Sequence, residues 1–148
     1  MLNLLKKKVG FTLIEMLLVM ALMGIILALT TPIYSLFQTK NDLDLATESI
    51  KTALYRAQTL SRNMTGDGTW GVYIQNEDII LFKGTSYSLS DPNFDEITKM
   101  STRVVTSGTT EIIFNKLTGE PQNIANIELS IDNETKTITI NEKGVQGN

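Results

Sequence analysis

Residues 6–29 read KKKVGFTLIEMLLVMALMGIILAL. Lys6, Lys7 and Lys8 come first, then Val9 and Gly10, and from residue 11 to 29 only Thr12 and Glu15 are polar. A helix of that apolar length rises about 28 Å, close to the ~30 Å hydrocarbon core of a bilayer. Three lysines at its N-terminal end predict that this end stays in the cytoplasm and that the bulk of the chain lies outside. Glu15 is the anomaly. An acid at the centre of a membrane helix costs ~2.5–3.5 kcal/mol on insertion scales, and less near an end. Such a residue calls for a partner.

Downstream, a helical pattern continues. Leu43, Ala46, Ile50, Ala53, Leu54, Ala57 and Leu60 follow one another mostly at steps of three and four, with Asp42, Glu48, Lys51, Thr52, Arg56 and Thr59 off the stripe. Pro32 lies between the apolar run and the stripe, where its missing N–H and its ring predict a kink. The expectation is one long helix over about 11–62, bent near Pro32. After Asn63 the pattern changes. Gly66, Asp67 and Gly68 mark a turn. Short β-branched and aromatic runs follow at 69–75, 79–83, 103–107, 111–115, 126–131 and 136–141. Asn76-Glu77-Asp78 and Asp132-Asn133-Glu134 read as hairpin loops. Residues 86–101 are polar, include Pro92, and read as a connecting loop. The expected fold class is α+β: a long N-terminal transmembrane and amphipathic α-helix packed, through its stripe, against a C-terminal antiparallel β-sheet.

Composition narrows the chemistry. The 148 residues suffice for one globular domain, and 13 basic against 16 acidic side chains leave a net charge of −3. Without His or Cys the chain lacks the commonest general base, a thiol nucleophile, a disulfide framework and a zinc–thiolate site. Two glycosylation sequons, at Asn63 and Asn133, are too short a pattern to carry a reading. Asp132, Asn133 and Glu134, like the stretch 91–96, could offer oxygens to calcium, but neither forms a spaced loop of ligands, and both read as solvated turns. No set of side chains stands out as catalytic, no cofactor or metal is expected, and the chain reads as a non-enzyme.

The stretch from Lys6 to Glu15, followed at once by the apolar run, resembles the class III leader of type IV prepilins and the related secretion pseudopilins. The resemblance implies cleavage between Gly10 and Phe11 by a membrane prepilin peptidase, N-methylation of the new N-terminal Phe11, and a register role for Glu15, paired in the filament with the α-amino group of a neighbouring subunit. Pro32 falls where many members carry a helix-breaking proline. Val9 departs from the family, in which a basic residue commonly precedes the glycine. The implied organisation is a cleaved leader at 1–10, a transmembrane and polymerisation helix at 11–40, and a globular pilin-like domain at 41–148. The implied partners are the prepilin peptidase/methylase, other pilin or pseudopilin subunits and an inner-membrane assembly platform. The implied location is the bacterial inner membrane, single-pass, with later incorporation into a pilus or pseudopilus. An ordinary signal peptide is the blander reading, but Ala28-Leu29-Thr30 is a poor cleavage site and an acid inside its apolar core is rare. An uncut signal anchor is another.

Arg62-Asn63, Trp70-Gly71-Val72-Tyr73, Ile80-Leu81-Phe82-Lys83-Gly84 and Phe114-Asn115-Lys116-Leu117-Thr118-Gly119 resemble the GspH/FimT-type minor pseudopilin domain. Taken alone, Trp70, Tyr73 and Phe82 read as core aromatics, and Gly84 and Gly119 as turn glycines. The functional expectation is a structural minor pilin or pseudopilin of a type II secretion or type IV pilus filament. The rival is a filament-tip subunit that binds DNA or serves adhesion. Without residues 1–10 the net charge falls to −6, and after Lys116 only Lys136 and Lys143 are basic, which weighs against nucleic acid. Lys83, Lys99 and Arg103 are the residues that could still form a basic patch. A membrane-anchored enzyme lacks any recognisable site.

Overall fold

The computed structural model describes residues 10–147, with the side chains of 29–35 and 145–147 outside that description. Lys6, Lys7, Lys8 and Val9 therefore lie outside the described residues, as does the side chain of Pro32, on which the expected kink depends. By its contacts the chain divides into two units, Met1–Phe37 and Gln38–Asn148.

Helix α1 (Leu13–Arg62) runs for 50 residues. In the first unit the described side chains from Leu13 to Ala28 are all exposed. Among the described residues no helix is long and apolar enough to cross a membrane. The described part of the apolar run stops at Ala28, short of the ~20 residues that a span takes. In the second unit α1 turns one stripe inward: Leu43, Ala46, Ile50, Leu54 and Ala57 are buried, with Ala53 and Leu60 packed beside them. The steps of three and four are those that keep side chains on one helical face.

Eight strands follow: β1 (Trp70–Gln75), β2 (Asp78–Lys83), β3 (Glu96–Lys99), β4 (Val105–Gly108), β5 (Glu111–Phe114), β6 (Ala125–Ile131), β7 (Glu134–Asn141) and β8 (Gly144–Gly147). They form two four-stranded antiparallel sheets, ordered β3-β2-β1-β5 and β4-β6-β7-β8. This corrects the single sheet expected from the sequence. The split arises between β4 and β5. Gly108 has φ 89, and a Cβ there would run into the backbone oxygen of Asn126. The chain then changes partners within two residues: the Thr109 N–H bonds Asn126 O at 3.0 Å, in the second sheet, and the Thr110 carbonyl accepts the Ile74 N–H at 2.8 Å, in the first. Glycine permits that turn where a side chain would not.

Both sheets share one core with the α1 stripe. Trp70, Val72, Ile74, Ile79, Leu81, Ile112 and Phe114 come from the first, and Ala125, Ile127, Leu129, Ile131, Ile138 and Ile140 from the second. In β6 the alternation is clean, with Asn126 and Glu128 facing out. The first sheet is covered on its outer face as well. Phe82 is fully buried there, and Tyr87 stacks on Tyr73 with centroids 4.4 Å apart and meets Phe82 edge-on at 5.7 Å. Gly71 pairs with Phe82 across the strands, and a Cβ on it would lie 2.6 Å from the ring. The residue opposite Phe82 is thus glycine because the ring occupies the side-chain position. Of the three aromatics expected in the core, Trp70 lies there, Phe82 is buried on the opposite face, and Tyr73 is half-buried beside it.

Both hairpin turns fall where expected but hold only two residues each, since Asp78 and Glu134 belong to β2 and β7, and Asn76 and Asp132 sit at φ 53, a conformation that Asn and Asp tolerate. The segment expected to be a loop over 86–101 holds strand β3 and two 3-10 turns, Tyr87–Leu89 and Pro92–Phe94. All four residues of β3 are exposed, so no alternation betrays it. Strand β8 contains two glycines, which strands disfavour, and was not expected either.

Candidate processing and assembly site

Gly10, Phe11 and Thr12 precede the helix in non-helical backbone. Phe11 is 80 % exposed, and a Cβ built on Gly10 would meet nothing within 4 Å. No described neighbour therefore requires a glycine at position 10. The peptide bond between Gly10 and Phe11 stands clear of regular structure, the condition under which a protease can draw backbone into its cleft.

Thr12 fixes where the helix starts. Its hydroxyl accepts the Glu15 N–H at 3.3 Å, and its carbonyl accepts the Met16 N–H at 3.2 Å. Those are the bonds of an N-cap residue, which satisfies one of the donors that a helix leaves open at its start. Glu15 is three residues past the cap and is the acid of the first turn, where the helix dipole favours negative charge. It is exposed, and among the described residues it makes no ion pair. Reading Glu15 only as a membrane acid misses the cap. The sign was present in Thr12-Leu13-Ile14-Glu15, a Thr followed three residues later by Glu just before an apolar run.

The globular motifs gather at the other end of α1. Ser61 is fully buried. Its hydroxyl accepts the Trp70 N–H at 2.9 Å and donates to Trp70 O at 3.4 Å. Its carbonyl accepts N–H groups from Met64 and Leu117, each at 3.2 Å. Gln58 Nε2 donates to Gly119 O at 2.9 Å, and Arg62 Nε to Thr118 O at 3.3 Å. Gly119 has φ 67 and packs against Gln58 O, so it is a turn glycine for a steric reason. Lys116 bonds Asp67, and that bond, its charge and the charge of Lys83 hold the Asp67 carboxyl below the usual range. These motifs stitch the helix end to the start of β1 and to the loop after β5. They build structure. Ser61, central to them, was not singled out from the sequence, because a lone serine on a helix carries no pattern.

The three basic residues considered for a patch are occupied. Lys99 Nζ lies 3.0 Å from Asp78 and 3.4 Å from Glu77, whose bonds and charges raise its pKa. Arg103 reaches Asp42 at 3.5 Å and Asp132 at 3.6 Å, and donates to the Thr39 hydroxyl at 2.8 Å. Lys83 sits 4.2 Å from the centre of the Phe94 ring, at the end of β2 remote from Lys99.

In comparison with known families, the model of the prokaryotic N-terminal methylation motif fits residues 5–31. Comparison with curated proteins and with solved structures gives no match. The matched stretch contains Gly10, Phe11, the Thr12 cap, Glu15 and the exposed apolar part of α1. Over that stretch the chain carries a leader motif like that of type IV prepilins.

Proposed function

We propose that this chain is a structural minor pilin or pseudopilin, and not an enzyme, of a type II secretion or type IV pilus filament. Its globular unit is of the GspH/FimT type. The precursor sits in the bacterial inner membrane by one span, with the globular unit outside the cytoplasm, and the prepilin peptidase cuts it between Gly10 and Phe11 and methylates Phe11. The observation that carries the reading is the methylation motif over residues 5–31, fused without a break to a helix whose described side chains over 13–28 are all exposed. Such a surface needs lipid or partner helices around it. Glu15 lies four residues after the new N-terminus, and because α1 begins only at Leu13 the offset is somewhat more than the roughly 6 Å that four helical residues rise. A neighbour displaced axially by that much brings its free amine beside this carboxylate. Pairing is favoured because a lone charge in a low-dielectric setting is costly.

The test is complementation of a deletion strain with the wild type, Glu15→Ala and Glu15→Gln. The mature N-terminus is read by mass spectrometry and the filament by subunit incorporation. The expected result is methyl-phenylalanine at position 11 in all three and weakened incorporation in both variants. Alanine makes bilayer insertion easier, so lost incorporation cannot be blamed on failed insertion. A mature start near Thr31 would point to an ordinary signal peptide, and normal incorporation of both variants would remove Glu15 from the register contact.

A further inference from the structure

We infer that Thr12 is a positioning residue for leader removal: its hydroxyl, by capping α1, keeps the bond between Gly10 and Phe11 out of the helix and presentable to the peptidase. This rests on the reading of the chain as a processed prepilin. Hydrolysis of that bond adds one water, leaving a carboxylate on Gly10 and a free amine on Phe11. A protease acts on backbone it can extend, and the structure supplies it, with Gly10, Phe11 and Thr12 non-helical and Phe11 80 % exposed. What stops the helix there is the Thr12 hydroxyl, which takes the Glu15 N–H at 3.3 Å.

The setting makes that bond matter more than on a water-exposed helix. Apart from Glu15 the residues after it are apolar to Ala28, and at membrane depth an open N–H finds no water to satisfy it. Without an acceptor at position 12, the open donors move upstream if the helix grows by a turn toward Gly10. The scissile bond then enters the first turn. Alanine at position 12 promotes this twice over, because it lacks the acceptor and is the best helix former. Serine and asparagine keep an acceptor, and both are strong caps.

The experiment follows cleavage of the full-length chain in inner-membrane vesicles carrying the prepilin peptidase, for the wild type, Thr12→Ala, Thr12→Ser and Thr12→Asn. Product is counted by mass spectrometry over time, and amide exchange at Glu15 is followed in micelles. The expected result is initial cleavage about fivefold slower for Thr12→Ala, the population factor that one capping bond is worth, with serine and asparagine within about twofold of wild type. The Glu15 amide should exchange slowly in the wild type and in both rescued chains. Equal rates in all four chains would overturn the inference. So would serine and asparagine as slow as alanine, because the peptidase would then be reading the threonine's shape and not its cap. An uncut wild type would instead overturn the processing reading on which the inference stands.

Discussion

The two halves of α1 share one hydrogen-bond ladder and carry opposite surfaces. Leu13, Ile14, Met20 and Leu27 are 79, 70, 68 and 69 % exposed, whereas Leu43, Ile50 and Leu54 are 3, 0 and 0 % exposed. Helix propensity does not separate them, since both halves are helical. What separates them is the distribution of apolar residues. The first half is apolar around its whole circumference, so no face of it is prepared for water. The second half keeps apolar residues to one stripe, and the sheets cover that stripe. One half finishes its burial within the chain, and the other leaves its apolar side chains exposed among the described residues.

The largest effect should come from cutting between them. A fragment Gln38–Asn148 is expected to fold in water as a monomer with mixed helix and sheet circular dichroism, while the full chain needs detergent. The cut also locates the boundary. Thr39 is buried and holds Arg103 at 2.8 Å, and Lys40 lies 3.9 Å from Glu134, so a fragment 41–148 loses contacts that belong to the globular unit. It should unfold in urea about 1 kcal/mol earlier than Gln38–Asn148. A disordered Gln38–Asn148, or a full chain monomeric in plain buffer, would undo the contrast. Next in size is a matched pair of truncations on the one helix. Leu54→Ala opens a cavity in the shared core and should destabilise the fragment by about 2–5 kcal/mol. Leu18→Ala removes a side chain that is 58 % exposed, and in the full chain held in detergent it should move unfolding of the globular unit by less than about 0.5 kcal/mol. Similar shifts for the two would mean that the first half packs on the globular unit.

That contrast was legible in the sequence, because periodicity is a property of the residues themselves. So were the strands whose burial leaves a trace: the alternation in β6 puts Ala125, Ile127, Leu129 and Ile131 on one face. Strand β3 was not legible, since an edge strand with four exposed residues buries nothing that could mark it. The division into two sheets was not legible either. It depends on which strand each neighbour bonds, and the change of partner at Gly108 is visible only once Asn126 and Ile74 are in place. At the N-terminus Gly10, Phe11 and Glu15 stood out as residue types in a pattern, and the Thr12 cap stood in the same four letters.

The smallest effect concerns a carboxylate in the segment between β2 and β3, and it sharpens the contrast by asking how completely the globular unit satisfies what it buries. Asp95 follows the turn Pro92–Phe94, and its Oδ1 is inaccessible with no hydrogen-bond partner among the described residues, although the residue as a whole is only partly covered. Burial, and secondarily the charge of Asp91, push its pKa above the usual carboxylate value. A carboxyl whose folded pKa is raised binds its proton more tightly in the folded chain than in the unfolded one. Its contribution therefore favours folding below the unfolded pKa of ~3.9 and is lost as pH rises through the folded value. At neutral pH Asp95 is thus a mild liability, and Asp95→Asn, which resembles the protonated acid in shape and charge, should relieve it. Because the residue is only half-buried, the gain should stay within about 0.5 kcal/mol. Asp67 runs the other way: Lys116 holds its pKa down, so its contribution is present at neutral pH and fades as pH falls through the folded value. The comparison is between urea midpoints of Gln38–Asn148 with and without Asp95→Asn, at pH 7 and at pH 3, at one ionic strength. The variant should be slightly the more stable at pH 7 and indistinguishable at pH 3, where the wild-type carboxyl carries its proton. Because both chains keep Asp67, its titration cancels in the difference. A variant less stable than wild type at pH 7 would mean that the Asp95 carboxylate is held by a cation in solution and that its buried oxygen is not an unmet acceptor.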